Sequence, residues 1–378
     1  MIYLDYNATT PCDPEVVEAM LPYFTQKFGN AASRTHPFGW IADEAVEQAR
    51  IQVAALIHAS PQEIVFTSGS TEGCNLALKG VFEMYAAKGK HIITCVTEHK
   101  AVLDTCRHLE RNGAEISYLG TDREGRIDLG ALEQAIRPDT ILIALMYANN
   151  ETGVIHPVAE IGAIAHRHDV LFFTDATQAT GKIPVDVQQD NIDILALSGH
   201  KFYGPKGVGA LYVRRRDPRV RLAAQLDGGG HERGFRSGTL NVPGIAGLGK
   251  AAAKAKLLMR EEALRLESWR DQLESELKEV EHVSINGGGA KRLPHVSNIS
   301  FGDVSAERLV SRLNSEIAFS VGSACTSASK EPSHVLAAMG LNELQLKGSI
   351  RLSMGRFTDE TEVDTAILKI KEAIFKSR

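Results

Sequence analysis

Through the first two thirds of the chain, short β-rich runs alternate with helical patterns, and this alternation limits the fold more than any other feature of the sequence. The runs fall at residues 63–67, 91–96, 115–119, 141–146, 170–174, 192–197 and 208–213, with helix candidates at 40–58, 71–87, 99–112 and 158–168 between most of them. Such an order predicts an α/β fold around a largely parallel central sheet. Ligands of these sheets bind outside the carboxyl ends of the strands, so the residues just after each run become candidates for chemistry. Asp13 as N-cap and Pro14 at the first helical position mark where the N-terminal segment hands over to the main unit.

A long helical pattern over 245–281, with Leu257, Leu264, Leu266, Trp269, Leu273 and Leu277 near helical spacing, predicts a connecting helix into a second, smaller unit. Strand candidates at 297–301 and 350–353 and helix candidates at 306–314 and 360–375 follow it. With 378 residues, 43% of them hydrophobic, the chain can build two cores. The expected division is a large α/β unit over 14–255 and a smaller α+β unit made of 1–13 and 256–378.

The formal net charge of -5 is spread without long single-sign runs, so neither nucleic acid nor an anionic membrane is an expected partner. No stretch approaches the roughly 18 apolar residues that span a bilayer, and the first residues lack a basic and apolar leader, so a cytoplasmic protein is expected. The five cysteines show no C-x-x-C spacing and read as reduced thiols, with no metal site among them. Cys12, Cys74, Cys95 and Cys106 lie beside or within apolar segments, where a thiol acts as a small hydrophobe. Cys325 differs, because Ser320-Val321-Gly322-Ser323-Ala324-Cys325-Thr326-Ser327-Ala328-Ser329 is small, polar and flexible in composition.

Five strand ends carry chemistry. Leu195-Ala196-Leu197-Ser198-Gly199-His200-Lys201 runs into a glycine-rich turn, and a partly desolvated lysine there is a competent amine nucleophile toward a carbonyl. Leu171-Phe172-Phe173-Thr174-Asp175 ends in an acid whose burial calls for a cationic or N–H partner, such as a protonated ring nitrogen, although a helix cap or metal ligand fits the same position. Thr67-Ser68-Gly69-Ser70-Thr71 opens a helix, where free N–H groups, the helix dipole and two hydroxyls suit a phosphate or form a simple cap. A Walker lysine and G-x-G-x-x-G are both missing, which disfavours nucleoside triphosphate hydrolysis and dinucleotide binding. His99 in Thr97-Glu98-His99 can stack on a planar ligand or shuttle a proton, and the amides of Asn149-Asn150 can hold an oxygen or make a turn.

These features follow the order of the class V aminotransferase fold. The chain resembles the cysteine desulfurases of the NifS/IscS type over essentially its whole length. The resemblance rests on Leu4-Asp5-Tyr6-Asn7-Ala8-Thr9-Thr10-Pro11, Phe28-Gly29-Asn30, Ser68-Gly69-Ser70-Thr71-Glu72, Thr97-Glu98-His99, Asn149-Asn150-Glu151, Thr174-Asp175-Ala176, Ser198-Gly199-His200-Lys201, Arg236-Ser237-Gly238-Thr239 and Gly322-Ser323-Ala324-Cys325-Thr326-Ser327. It implies the fold type I, aspartate-aminotransferase-like architecture of pyridoxal-phosphate (PLP) transferases. It also implies a homodimer with shared sites and a reaction in which L-cysteine gives L-alanine and a persulfide on Cys325, within a loop at about 320–335.

By the same resemblance, Lys201 holds the cofactor as a Schiff base and moves the substrate Cα proton, Asp175 pairs with the pyridine nitrogen, and His99 stacks on the ring. Asn150 and Gln178 contact the ring hydroxyl side, and Ser70, Thr71, Ser198 and His200 hold the phosphate. Thr239 reaches the phosphate of the neighbouring subunit, and Arg351 clamps the substrate carboxylate, with Asn150 beside it. Beyond a transient iron-sulfur cluster at Cys325, no metal is expected. Family members that serve iron-sulfur assembly often carry a tail that docks a scaffold protein, whereas this sequence stops at Lys376-Ser377-Arg378. That departure leaves the acceptor system open: the expected partner is a sulfur-acceptor protein, a scaffold or a sulfurtransferase, serving iron-sulfur assembly, tRNA thiolation or DNA phosphorothioation. Arg214-Arg215-Arg216 with Arg219 and Arg221 can dock such a partner or form a solvated loop. The alternatives are another class V enzyme, an aminotransferase or selenocysteine lyase, and a PLP-binding regulator without catalysis.

Overall fold

The computed structural model describes residues 1–321 and 332–378. Its strands are β1 (Ile2–Tyr3), β2 (Ile64–Thr67), β3 (His91–Cys95), β4 (Glu115–Leu119), β5 (Thr140–Ala144), β6 (Leu171–Asp175), β7 (Ile194–Ser198), β8 (Gly209–Val213), β9 (Val283–Ile285), β10 (Val296–Phe301), β11 (Ile317–Ala318) and β12 (Ser349–Ser353). The helices are α1 (Pro14–Met20), α2 (Pro22–Thr25), α3 (Pro37–Leu56), α4 (Ser70–Met84), α5 (Lys100–Glu110), α6 (Leu129–Gln134), α7 (Val158–Arg167), α8 (Val242–Lys278), α9 (Ala306–Leu313), α10 (His334–Ala338), α11 (Glu343–Lys347) and α12 (Glu360–Phe375).

The large sheet has seven strands in the order β2-β8-β7-β6-β5-β3-β4. Only β8 runs against the others in it, pairing antiparallel with both β7 and β2. Its reversal follows from the connection: the turn through Lys201 carries no crossover helix, so the chain can only double back. The inner strands are apolar on both faces because helices cover both. Alternate residues go to opposite sides, with Ile93, Ile143, Phe172 and Leu195 in one core and Ile92, Leu142, Phe173 and Ala196 in the other. On the first side α3 lies so close along α8 that a Cβ at Gly249 would stand 2.5 Å from the Ala49 Cα.

A three-stranded antiparallel sheet, β12-β10-β9, builds a separate core with α9, α12 and the second half of α8. Leu4 belongs to that core, because β1 pairs in parallel with β11 and the Ser353 amide donates to the Leu4 carbonyl at 2.7 Å. The N-terminal segment then crosses to the large sheet. Asp13 caps α1 through the Glu15 amide at 3.0 Å and holds Lys254 and Arg356 as well, so the cap expected from sequence is also a tie between elements. Among the described residues no helix is long and apolar enough to cross a membrane.

Two expectations need correcting. Arg214 is not part of an exposed basic cluster: it is buried, because from the end of β8 its guanidinium reaches back to the Val187 and Ile192 carbonyls and the Asp193 carboxylate just before β7. Cys12 is only half-buried, since it precedes the polar Asp13 tie, whereas Cys74, Cys95 and Cys106 are buried as expected.

Candidate active site

With β8 alone reversed, the carboxyl ends of β2, β3, β5, β6 and β7 open on one edge of the sheet. A cavity of about 190 Å³ lies there. Ser70, Thr71, His99, Asn150, Asp175, Gln178, His200 and Lys201 all line it, and Ala8, Met146, Ala148 and Thr177, for which no role was expected, complete the wall. Larger hollows near α9 and α12 and beside Arg215 are lined mostly by charged side chains and contain none of these residues.

Each of these side chains is set by the chain just before it. Asp175 is the last residue of β6 and is 6% exposed. One carboxylate oxygen accepts from the Thr177 amide at 3.0 Å and from the Thr177 hydroxyl, and the other faces the Cys74 thiol at 3.8 Å. His99 caps α5 by accepting from the Ala101 amide at 3.1 Å, which fixes its ring at the start of the helix. Ser70 and Thr71 open α4 behind Gly69, whose φ of 154° and lack of a side-chain cap leave the first amides of the helix to the cavity. The approach is tight, since a Cβ at Gly209 would stand 2.8 Å from the Gly69 Cα.

Lys201 donates from Nζ to the carbonyls of Asn7 and Ala8 at 2.6 and 2.8 Å. His200 bonds the Thr9 hydroxyl at 3.1 Å, and burial, aided by Lys201 and Lys206, pulls its imidazole down to about 4, so it is neutral at physiological pH. The two asparagines after β5 divide the work. Asn149 turns inward, bonding the Thr97 carbonyl and the Glu151 and Thr152 amides, while Asn150 faces the cavity.

Three expected residues stand outside the cavity wall. Ser198 ends β7 and points under the α4 turn, its Oγ 3.7 Å from where a Gly69 Cβ would be. Thr239 is exposed in the segment before α8. Arg351, on β12, is 2% exposed and reaches the wall from behind through the Asn150 carbonyl at 2.9 Å. Cys325 lies outside the described residues. Burial raises the thiols of all four described cysteines, Cys95 to about 11 and Cys106 to about 12, and Cys74 lies well up because of burial, Asp175 and Glu98. None of them is a thiolate near neutrality.

Asn7, to which no local pattern points, is tied through both its backbone and its side chain behind the cavity. Its amide donates to the Ser353 hydroxyl at 2.9 Å, its Oδ1 pairs with His295 Nε2 at 2.8 Å, and its Nδ2 donates to the Asn150 carbonyl at 3.1 Å. Its own carbonyl accepts from Lys201 and from Gln178 at 3.1 Å. A second unassigned tie joins Glu151, fully buried, to the Ser333 hydroxyl that caps α10. Neither could be found locally, because each partner comes from a distant part of the chain.

PLP fits these donors. Asp175 is a buried carboxylate with no ion pair among the described residues, which suits a protonated ring nitrogen, and the open start of α4 suits a phosphate. The chain matches the family model described as Aminotransferase class-V over residues 2–366. It is 57% identical over 378 residues to the cysteine desulfurase IscS of Anaeromyxobacter sp. (strain K), covering 100% of this chain and 93% of that protein. It is similar to the solved structure of a NifS-like protein, with a TM-score of 0.92 at 37% identity over 99% of both chains. It is also similar to SspA in complex with cysteine, with a TM-score of 0.83 at 39% identity, covering 95% of this chain and 100% of that one. Enzymes of this kind depend on PLP. With the model matched almost end to end and a relative this similar along the whole chain, the protein belongs to the aminotransferase class-V family, in its group of NifS/IscS-type cysteine desulfurases.

Proposed function

We propose that the chain removes the sulfur of L-cysteine, leaving L-alanine and a persulfide on Cys325 that passes to an acceptor protein. In this reaction the Cβ–S bond breaks and an S–S bond forms on Cys325. Cβ is reduced to a methyl group, while the transferred sulfur is carried at the sulfane level. The observation that carries the reading is that Lys201 and Asp175 open into one cavity of a chain this similar to cysteine desulfurases. When bound, PLP supplies an electron sink for the substrate Cα.

The chain's own residues do the rest. Lys201 is the point of covalent attachment and then the base that moves the Cα proton, since its amine already points to the cavity from a turn fixed by Asn7 and Ala8. Asp175 keeps the ring nitrogen charged, and His99 covers the ring. Asn150 and Gln178 hold its hydroxyl side, and Ser70, Thr71, Ser198 and His200 hold the phosphate. His200, which lines the cavity, offers a ring N–H to that phosphate. Arg351 takes the substrate carboxylate beside Asn150. The raised thiols of the other cysteines leave Cys325 as the nucleophile toward sulfur.

A homodimer, with Thr239 completing the neighbour's phosphate site, is supported by the exposed apolar side chains Phe24, Phe28, Phe38 and Trp40 near the start of α3. The same reading takes 14–255 as the cofactor-binding unit, places 1–13 and 256–378 in the smaller one, and puts the enzyme in the cytoplasm. The test is incubation with L-cysteine and a reductant. Sulfide and alanine should appear in equal amounts, and Cys325→Ala should abolish sulfide release while keeping the yellow colour. Undiminished sulfide release from that variant would remove the persulfide step, and pyruvate from alanine and a keto acid would indicate transamination instead.

A further inference from the structure

We propose that Asp5 is a built-in competitor for the substrate carboxylate at Arg351, and so sets how tightly the chain holds its amino acid. The inference rests on the reading above that Arg351 takes that carboxylate. Arg351 stands in the middle of β12, paired across the sheet with Asn298, and its guanidinium is almost wholly buried. Nη1 donates to the Asn150 carbonyl at 2.9 Å. Nη2 donates both to Asp5 Oδ1 at 2.8 Å and to the Ser320 hydroxyl at 3.0 Å. Nε has no partner among the described residues.

A guanidinium offers a carboxylate two flat edges, one of Nε with Nη2 and the other of Nη1 with Nη2. Nη2 is common to both. Since both Nη2 hydrogens are engaged, no two-point grip on a new carboxylate can form until one of the present partners leaves. Ser320 is held in place by its backbone, which exchanges two hydrogen bonds with Arg351 at 2.8 and 3.2 Å. The backbone of Asp5 is fixed, its carbonyl accepting from the Ala8 amide at 3.0 Å and the Tyr3 hydroxyl at 3.1 Å, but its carboxylate is held only by Arg351 and by the Ser320 hydroxyl that donates to it at 2.7 Å, and that side chain is 19% exposed, so it can rotate toward water. Asp5 is therefore the group that yields. Exchanging one carboxylate for another keeps the buried cation neutralised throughout, which avoids the cost of an unpaired charge. It also means that every substrate molecule binds at the expense of an existing ion pair.

The test uses the PLP-loaded enzyme and Asp5→Asn, which keeps the size of the side chain and removes its charge. The KM for L-cysteine should fall roughly three- to tenfold, because a neutral amide gives up Nη2 more readily than a carboxylate does. L-cysteine methyl ester carries no carboxylate, so its KM should move little. Because KM equals an affinity only when chemistry is slow, protection against heat by L-alanine serves as a second readout, and it should be stronger in the variant than in the wild type. Should Asp5→Asn fold poorly, Ser320→Ala loosens Asp5 and should shift the same quantities in the same direction by less. An unchanged or raised KM for L-cysteine in Asp5→Asn would overturn the proposal, leaving Asp5 as a prop that orients Arg351. If the wild type treats ester and acid alike, the carboxylate role of Arg351 fails and this proposal goes with it.

Discussion

Two polar regions meet at the cavity, and the chain builds them in opposite ways. On the side of the large sheet, Ser70, Thr71, His99, Asp175 and Lys201 each stand within a few residues of the strand that positions them. Behind the cavity, Asp5, Asn7, His295, Ser320, Arg351 and Ser353 are tied by hydrogen bonds that span as many as 346 residues. Local geometry places the first set, with Lys201 also reaching the distant Asn7 and Ala8 carbonyls, so losing one side chain there removes a function and leaves most of the scaffold's ties in place. The second set is a network in which each member satisfies a buried neighbour, so losing one leaves others unpaired. The two regions should therefore respond differently to substitution.

The largest effect belongs to the first region. Lys201→Ala should lose the yellow colour of the bound cofactor and lower turnover by about 10²–10⁴-fold or more, while urea unfolding moves by less than about 1 kcal/mol. A retained cofactor absorbance would mean that another amine holds the cofactor, and a large loss of stability would erase the contrast. Next comes Asn7→Ala in the second region. It strips partners from the buried His295 ring and the Asn150 carbonyl, and should cost about 2–4 kcal/mol in urea unfolding as well as slowing turnover. A cost under about 0.5 kcal/mol would show that the ties act independently.

The same contrast decides what the sequence discloses. The strand ends were legible because a change from apolar run to polar turn marks them, and His99, Asp175 and Lys201 come together on one wall as that pattern requires. The large sheet was legible for the same reason, apart from the reversal of β8, which depends on the missing crossover helix rather than on any residue of the strand. Asp5 and Asn7 lie in the N-terminal segment Leu4–Pro11, whose local pattern gives them no role. Their partners His295, Arg351 and Ser353 lie on or just before β10 and β12, and nothing in local periodicity relates residue 7 to residue 295. Asn149 illustrates a finer limit, since two adjacent amides of one type are split by the turn into one that braces it and one that faces the cavity.

Acid should weaken the second region. Burial holds the His295 imidazole well below its ordinary value near 6.5, and Lys182, Arg270 and Arg351 add to the effect. In the unfolded chain the ring takes up a proton near pH 6.5, whereas the folded one stays neutral to much lower pH. Its contribution to stability is thus present above pH 6.5 and is lost as pH falls from there toward the folded value, by at most about 1.4 kcal/mol per pH unit. His295→Gln, which titrates in neither state, should flatten that slope in urea unfolding measured from pH 7 to 5. An equal slope in both proteins would assign the acid sensitivity to other groups, such as His156, which burial brings down to about 4.

The smallest effect on turnover is expected at Glu98, and it tests whether the first region distinguishes its two buried acids. Asp175 has the Thr177 amide and hydroxyl on one oxygen and a cavity suited to a cationic ring in front of it. Glu98 is as deeply buried, but one oxygen accepts only from the Met146 amide at 2.7 Å, and the other has no partner among the described residues. Burial pushes its carboxyl well up, opposed by the Met146 amide and reinforced by the charge of Asp175, which favours the neutral form of Glu98. Glu98→Gln then replaces one neutral group with another of the same shape, and turnover should stay within a few-fold of the wild type. In the unfolded wild type Glu98 ionises above about pH 4.3, while in the folded state it does so only at higher pH, so the wild type loses stability across that interval as pH rises and the variant does not. The variant should therefore match the wild type near pH 4 and be the more stable one at pH 8. If instead Glu98→Gln lowers turnover as far as Asp175→Asn does, both acids are charged partners of the reaction and the distinction between them is lost.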